Sequence, residues 1–192
     1  LRAVPKAWTP GTNGPVTGEV VQALLEKEEE LAKWQGKLKG KFVLVSPVRD
    51  VRSYFESPVR RYTDQELTDL AKQPIGQEAA MRRRFAALGP QGAATELRRK
   101  RMEFLVKEGA LAILELSPGD RGDNGAVRVQ GPMAGEGSRE KDAPTVLPQV
   151  VIAAEHYGRI ARLLDKKVPV TVERDVRNRF IDDDLNVFNI VG

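Results

Sequence analysis

Three short apolar runs constrain this chain more than any other feature. They are Gly40-Lys41-Phe42-Val43-Leu44-Val45, Glu108-Gly109-Ala110-Leu111-Ala112-Ile113-Leu114 and Leu147-Pro148-Gln149-Val150-Val151-Ile152. Each is rich in β-branched residues and is entered from a polar or Gly/Pro corner, which predicts a buried strand. The second run follows a helix-like segment through Glu108-Gly109, and the third leads into another at Glu155–Asp165. Strands and helices therefore share one core, and the fold class expected is mixed α/β of the α+β kind.

Length and composition agree with a single globular unit. The chain has 192 residues, of which 41% are apolar and 30% charged, enough to bury one sizeable core. No stretch approaches the ~18 consecutive apolar residues of a membrane helix. There are no cysteines, so neither a disulfide nor a thiolate zinc site can hold the fold together. The sequence opens at Leu1 without a signal-peptide pattern. It is read as an internal region whose leader, if there was one, has been removed.

The formal net charge of +4 raises the question of nucleic acid. Arg82-Arg83-Arg84 and Arg98-Arg99-Lys100-Arg101 are the densest basic runs, but Glu78, Glu96, Glu103 and Glu108 alternate with them. Aromatics make up only 6% of the chain, too few for base stacking along a basic face. The pattern predicts solvated helices laced by i,i+4 pairs, with no nucleic acid as partner.

Along the chain, Leu1–Gly18 is rich in Pro and Gly and is expected to be extended and irregular, with Val4 and Trp8 as apolar anchors. Glu19–Leu25 offers a short strand and Glu26–Leu38 a helix on which Leu31, Trp34 and Leu38 share a face. Pro47–Val106 reads as a long helical excursion. Thr63 caps its first helix with Glu66 three residues on, a second helix spans Gln77–Leu88, and a third spans Ala93–Lys107 with Ala93, Ala94, Leu97, Phe104 and Leu105 on one face. Arg101 falls on that face and is expected to snorkel to its rim rather than to pair with an acid. Ser117–Pro148 is loop-rich, with Ala126–Gln130 as an alternating strand and Gly135–Pro144 polar enough to be mobile. Strands are also expected over Val168–Val176 and Leu185–Val191.

This order of elements resembles the protease-associated (PA) domain, in which a Gly-Lys-apolar strand is followed by a helix ending in Gly-Ala, a second strand, a Leu-Pro corner, a third strand and a helix. The resemblance is clearest over Gly36–Val45 and Met102–Arg177. Two flanks sharpen it. Asn186-Val187-Phe188-Asn189-Ile190-Val191-Gly192 resembles the first strand of the catalytic domain in zinc aminopeptidases and glutamate-carboxypeptidase-like (M28-type) enzymes. Thr9–Gly18 resembles the linker entering the PA insertion of their large secreted bacterial members.

The resemblance implies an entry segment at 1–18, a swivelling β/β/α PA domain at 19–180 with a helical insertion at 47–106, and the start of the peptidase domain at 181–192. It implies a secreted or periplasmic location. It also implies a non-catalytic role as lid, substrate-access and protein-interaction module over the active site of a parent enzyme. The partners would be the parent's catalytic domain and a peptide or protein substrate. The zinc would belong to that catalytic domain. The helical excursion is longer than in a minimal PA domain, and the family's catalytic motifs are missing here. A dinuclear zinc site cannot be assembled from the single His156, with no His-x-Asp in the chain. No catalytic, cofactor or metal residue is therefore assigned.

Recognition residues concentrate on loops carried by a rigid scaffold, which directs attention to Ser117–Gly125 and Gly131–Pro144. The first loop carries Asp120, Arg121, Asp123 and Asn124. Arg121 is the leading candidate for substrate contact, since a guanidinium grips a carboxylate with two parallel hydrogen bonds. An equal reading is that Gly122–Gly125 simply turns the chain. Arg121-Gly122-Asp123 also matches an adhesion tripeptide, which keeps an autonomous interaction or adhesion module as the alternative function, with a basic nucleic-acid-binding domain behind it. Asp182-Asp183-Asp184 lacks the Gly and distal Glu of a calcium loop, and the Gly119, Gly122, Gly125 series opens into an expected strand rather than a helix, so neither predicts a bound ion. His156 is expected to be a packed, hydrogen-bonded histidine on the face of Ile160 and Leu163.

Overall fold

The three apolar runs become neighbouring parallel strands. In the computed structural model, which describes residues 1–49, 60–72, 91–117, 127, 129–138, 140, 142–181, 183 and 186, they are β3 (Lys41–Leu44), β4 (Ala112–Leu116) and β5 (Gln149–Ile152). Phe42 stands opposite Ala112, and Leu114 opposite Val150. These strands lie at the centre of a six-stranded sheet of order β1-β5-β4-β3-β2-β6. Strands buried on both faces read as unbroken apolar runs, which is why the pattern was visible.

The flanking strands complete the sheet. β2 (Val16–Gln22) runs parallel to β3, while β1 (Ala3–Pro5) and β6 (Thr171–Arg174) lie antiparallel at the two edges. The segment expected to be irregular thus contributes an edge strand, pairing Ala3 with Ile152 and Val4 with Val151. Residues of both edges line one groove, so the sheet curls until β1 and β6 face each other.

Period-two alternation divides the core between the two faces. Phe42, Leu44, Leu114 and Ile152 pack under α4 (Ala154–Asp165) through Tyr157, Ile160 and Ala161. Val43, Val45 and Ile113 pack on the other face with Leu25, Leu38, Met102 and Leu105. The last two belong to α3 (Gln91–Glu108), and α1 (Glu28–Lys33) also touches α3. Ala93 and Ala94, assigned to the buried face from sequence, are exposed. Helix α3 ends in a Schellman arrangement: Gly109, at φ +73°, donates to Val106 O at 3.0 Å and Ala110 to Leu105 O at 3.2 Å. That turn delivers the chain straight into β4.

Between β3 and α3, α2 (Asp64–Ala71) starts where expected. Thr63 Oγ1 accepts from Glu66 N at 3.3 Å and Glu66 Oε2 accepts from Thr63 N at 2.8 Å. Arg60 forks onto the same carboxylate at 2.6 and 2.8 Å, and this, with the Thr63 bond, lowers the Glu66 pKa to about 2. The helix expected at Gln77–Leu88 and the strand expected at Leu185–Val191 lie outside the described residues, Asn186 apart.

Candidate functional site: a buried ion network beneath one loop

One edge of the α3-facing side of the sheet is charged rather than apolar. Immediately after β1, Lys6 is pinned by its N–H to Gln149 O at 3.0 Å, and its side chain is only 1% exposed. Its ammonium donates to Glu115 Oε1 at 2.7 Å and lies 3.7 Å from Glu136 Oε2. Glu115 interrupts the apolar run of β4 on the same face as Ile113, opposite Val151. Glu136, 4% exposed, also takes a charged hydrogen bond from Arg101 of α3. The network is balanced, with two cations and two carboxylates.

Burial alone would make each of these charges costly, and pairing is what makes them tolerable. Desolvation is the leading influence on Glu115 and raises its carboxyl above the ordinary value, with the Lys6 charge opposing it. Neutral groups extend the network. Gln149 Nε2 donates to Glu136 O at 2.6 Å, Thr9 Oγ1 to Lys6 O at 2.8 Å, and Asn178 Nδ2 to Thr9 O at 2.8 Å. Arg101 therefore does not snorkel as the sequence suggested: a buried carboxylate on a distant loop captures it.

The network ties down the second of the two loops singled out from sequence. Ser117, fully buried just after β4, donates its N–H to Ile152 O at 2.9 Å, and residues 118–125 of the first loop lie outside the described residues. Glu136 fixes the second, so the opening of Gly135–Pro144, expected to be mobile, is held against α3. Gly135 makes that approach possible. It sits at φ +89°, and a Cβ there would fall 2.4 Å from Thr95 O and 3.1 Å from Arg99 N. Trp8 lies over Gly131, whose Cβ would meet the indole at 2.6 Å, yet 47% of Trp8 stays exposed. We expect Gly135→Ala to lift this loop from α3 and destabilise the chain by roughly 1–3 kcal/mol, from the αL penalty and overpacking. Hydrogen exchange at Glu136 N–H, which donates to Met133 O, should accelerate with it. An unchanged midpoint and exchange rate would show that the loop is not anchored this way.

Asp120, Arg121, Asp123 and Asn124 lie outside the described residues, as do Gly119, Gly122 and Gly125. His156 is half-buried and its Nδ1 accepts the Arg2 N–H at 2.8 Å, the hydrogen-bonded histidine expected. Of the acidic triplet, Asp183 lies 3.9 Å from Arg179, and its two neighbours are outside the described residues. The strand expected at Ala126–Gln130 does not form at the described positions 127, 129 and 130, although Gln130 O accepts from Ala7 N at 3.0 Å. In the basic run on α3, Arg99 bonds to Glu96 and Glu103, Lys100 to Glu28 and Arg101 to Glu136. Acidic neighbours thus take up charge that phosphates would require.

Sequence reasoning missed Lys6, Glu115, Glu136 and Gln149. The one local signal was a Glu set inside an otherwise apolar strand. As chemistry, the network offers neither a nucleophile nor an uncommitted base. Its carboxylates are held by cations, and its consequence is the anchoring of the loop that carries Glu136 against α3.

Comparisons with known proteins give structural similarity only. No family model matches the chain, and no curated protein does. Among solved structures it is similar to an aminopeptidase from Aneurinibacillus sp. strain AM-1, at 16% identity and a TM-score of 0.47, covering 92% of this chain and 28% of that one. It is also similar to a peptidase M28 precursor from Shewanella amazonensis SB2B, at 16% identity and a TM-score of 0.44, covering 91% and 30% respectively. The chain spans less than a third of either enzyme. No helix among the described residues is long and apolar enough to cross a membrane.

Proposed function

We propose that this chain is a PA domain acting as a lid and substrate-access module over the active site of a zinc peptidase, with the catalytic residues and the metal on another part of the parent protein. The observation that carries this reading is the anchoring of the loop that holds Glu136 against α3 and the curled sheet by the Lys6–Glu115–Glu136–Arg101 network. A recognition module needs loops presented on a scaffold that does not yield when a ligand binds. The order of strands and helices that carries the sequence resemblance supports the same reading. Residues 181–192 would lead into the peptidase domain, and the location would be outside the cytoplasm.

Within this reading Arg121 contacts the substrate, assisted by Asp120, Asp123 and Asn124 on the same loop. The test is Arg121→Ala in the full-length parent peptidase, assayed on a panel of peptides with acidic, neutral and basic ends. A selective rise in KM for the acidic-ended peptides, with kcat little changed, is expected for a residue that binds substrate and transition state equally. Unchanged kinetics across the panel would reduce the loop to scaffold.

A further inference from the structure

A second feature stands apart from the ion network and does not depend on the lid reading. Arg174, the last residue of β6, projects to the same face of the sheet as Val172 and Val176, both of which pack on the apolar core beneath α4. It is 9% exposed, and its Nε, Nη1 and Nη2 are buried with no hydrogen-bond partner among the described residues. Burial lowers its pKa to about 10, an unusual position for a guanidinium. A buried cation left unpaired is among the costlier things a core can hold, and a guanidinium is suited to gripping a carboxylate through two parallel bonds.

The space beside it is shaped for a chain. A groove of about 550 Å³, within the roughly 300–1,000 Å³ typical of ligand sites, is lined by Ala3, Pro5, Val150, Ile152, Val172 and Arg174. Its two rims are the sheet edges, β1 and β6. Ala153 N to Arg2 O and Lys6 N to Gln149 O turn the alternate main-chain groups of β1 toward β5, so those of Ala3 and the carbonyl of Pro5 face away from it. Val20 N to Val170 O sets the same alternation on β6, so the main-chain groups of Thr171 and Glu173 face away from β2. No β1–β6 ladder forms among the described residues, and parting the rims breaks no strand pairing.

We infer that the groove between β1 and β6 binds an extended peptide segment as an added strand, with an acidic side chain of that segment paired to Arg174. The strand edges, unpaired among the described residues, supply main-chain hydrogen bonds, the apolar floor takes small aliphatic side chains, and the buried guanidinium selects a carboxylate.

The experiment uses the chain as it stands and two probes, acetyl-Val-Glu-Val-Thr-amide and the same peptide with Gln for Glu. Thermal unfolding and calorimetric titration are read for wild type, Arg174→Met and Arg174→Lys. The Glu peptide should raise the wild-type Tm and bind about tenfold to a hundredfold tighter than the Gln peptide, as a charge-assisted bond in a desolvated site implies. Arg174→Met should abolish that preference while leaving the free chain at least as stable as wild type, because it removes an unpaired buried charge; Arg174→Lys should keep part of the preference. Equal binding of the two peptides would overturn the proposal. So would a marked loss of stability in free Arg174→Met, which would mean the guanidinium already has a partner within the chain. Acetate matching the Glu peptide in affinity would overturn the peptide as ligand.

Discussion

Lys6→Met is expected to destabilise the chain by about 3–5 kcal/mol at pH 7, the usual consequence of removing one partner from a buried ion pair. The side chain is 1% exposed and its ammonium sits between two carboxylates, so its loss leaves Glu115 with only the weaker, longer-range pull of Arg101 and Glu136 with Arg101 alone. The pH dependence separates this from a packing defect. Burial already raises the Glu115 carboxyl in the folded chain, and Lys6 is the leading influence opposing it, so the variant raises it further. A carboxyl with a raised folded pKa binds a proton that the unfolded chain, at the ordinary 4.5, does not. Stability therefore falls as pH rises through that window and recovers as pH drops back toward 4.5. Urea midpoints at pH 7 and pH 5 should show the deficit shrinking at the lower pH. Lys6→Met combined with Glu115→Met, which leaves the Glu136–Arg101 pair balanced, should restore most of the loss. A deficit constant with pH, or no rescue by the double variant, would show that Glu115 is not the orphaned charge.

The same network marks the limit of what the sequence could reveal. β3, β4 and β5 were legible because strands buried on both faces must be apolar at every position, whatever surrounds them. The Thr63–Glu66 cap was legible because its partners lie three residues apart. The ion network was not. Lys6 and Glu115 are 109 residues apart and Arg101 and Glu136 are 35, and nothing local distinguishes a Lys after a short Pro-ended strand from a solvated one. Arg101 was assigned to a helix rim because a long side chain on an apolar face usually reaches water. Only tertiary structure supplies the carboxylate that holds it. β1 was hidden for a related reason: three residues ending in proline carry little strand signal, and this strand exists because β5 offers it a ladder.

The guanidinium of Arg174, without a hydrogen-bond partner among the described residues, had even less signature. Its strand alternates Val168, Val170 and Val172, and continuing that alternation puts position 174 on the apolar side. A basic residue there was the available clue, and charged residues at strand ends are too common to be read as buried.

Helix α4 turns a different face to the core from the one its sequence suggests, for a physical reason. The sequence placed His156, Ile160 and Leu163 on the buried face, whereas the residues packed in the core are Tyr157, Ile160, Ala161 and Leu164. Both sets fit a helical period, and they differ by a rotation of one position. What decides between them is the tyrosine. Tyr157 is fully buried, and its hydroxyl donates to Ser46 O at 2.6 Å and accepts from Ser46 N at 3.0 Å, clamping α4 to the chain just beyond β3. An aromatic ring can be buried when its hydroxyl finds such partners, and here it finds two on one residue. Tyr157→Ala should cost about 3–5 kcal/mol, the range for emptying a large aromatic site. Tyr157→Phe keeps the ring and should cost about 1–3 kcal/mol, because the half-buried Ser46 main-chain groups lose their partner. Burial also raises the Tyr157 pKa to about 12 from 10.0. Since the folded chain holds that proton where the unfolded chain releases it, the tyrosine's contribution is complete below pH 10 and declines as pH rises from 10 to 12. Denaturation of wild type and Tyr157→Phe at pH 8 and pH 11 tests both statements. Wild type should lose part of its advantage at pH 11. Equal midpoints at pH 8 would mean that the Ser46 clamp contributes nothing and that the register of α4 is set by Ile160 and Ala161 alone.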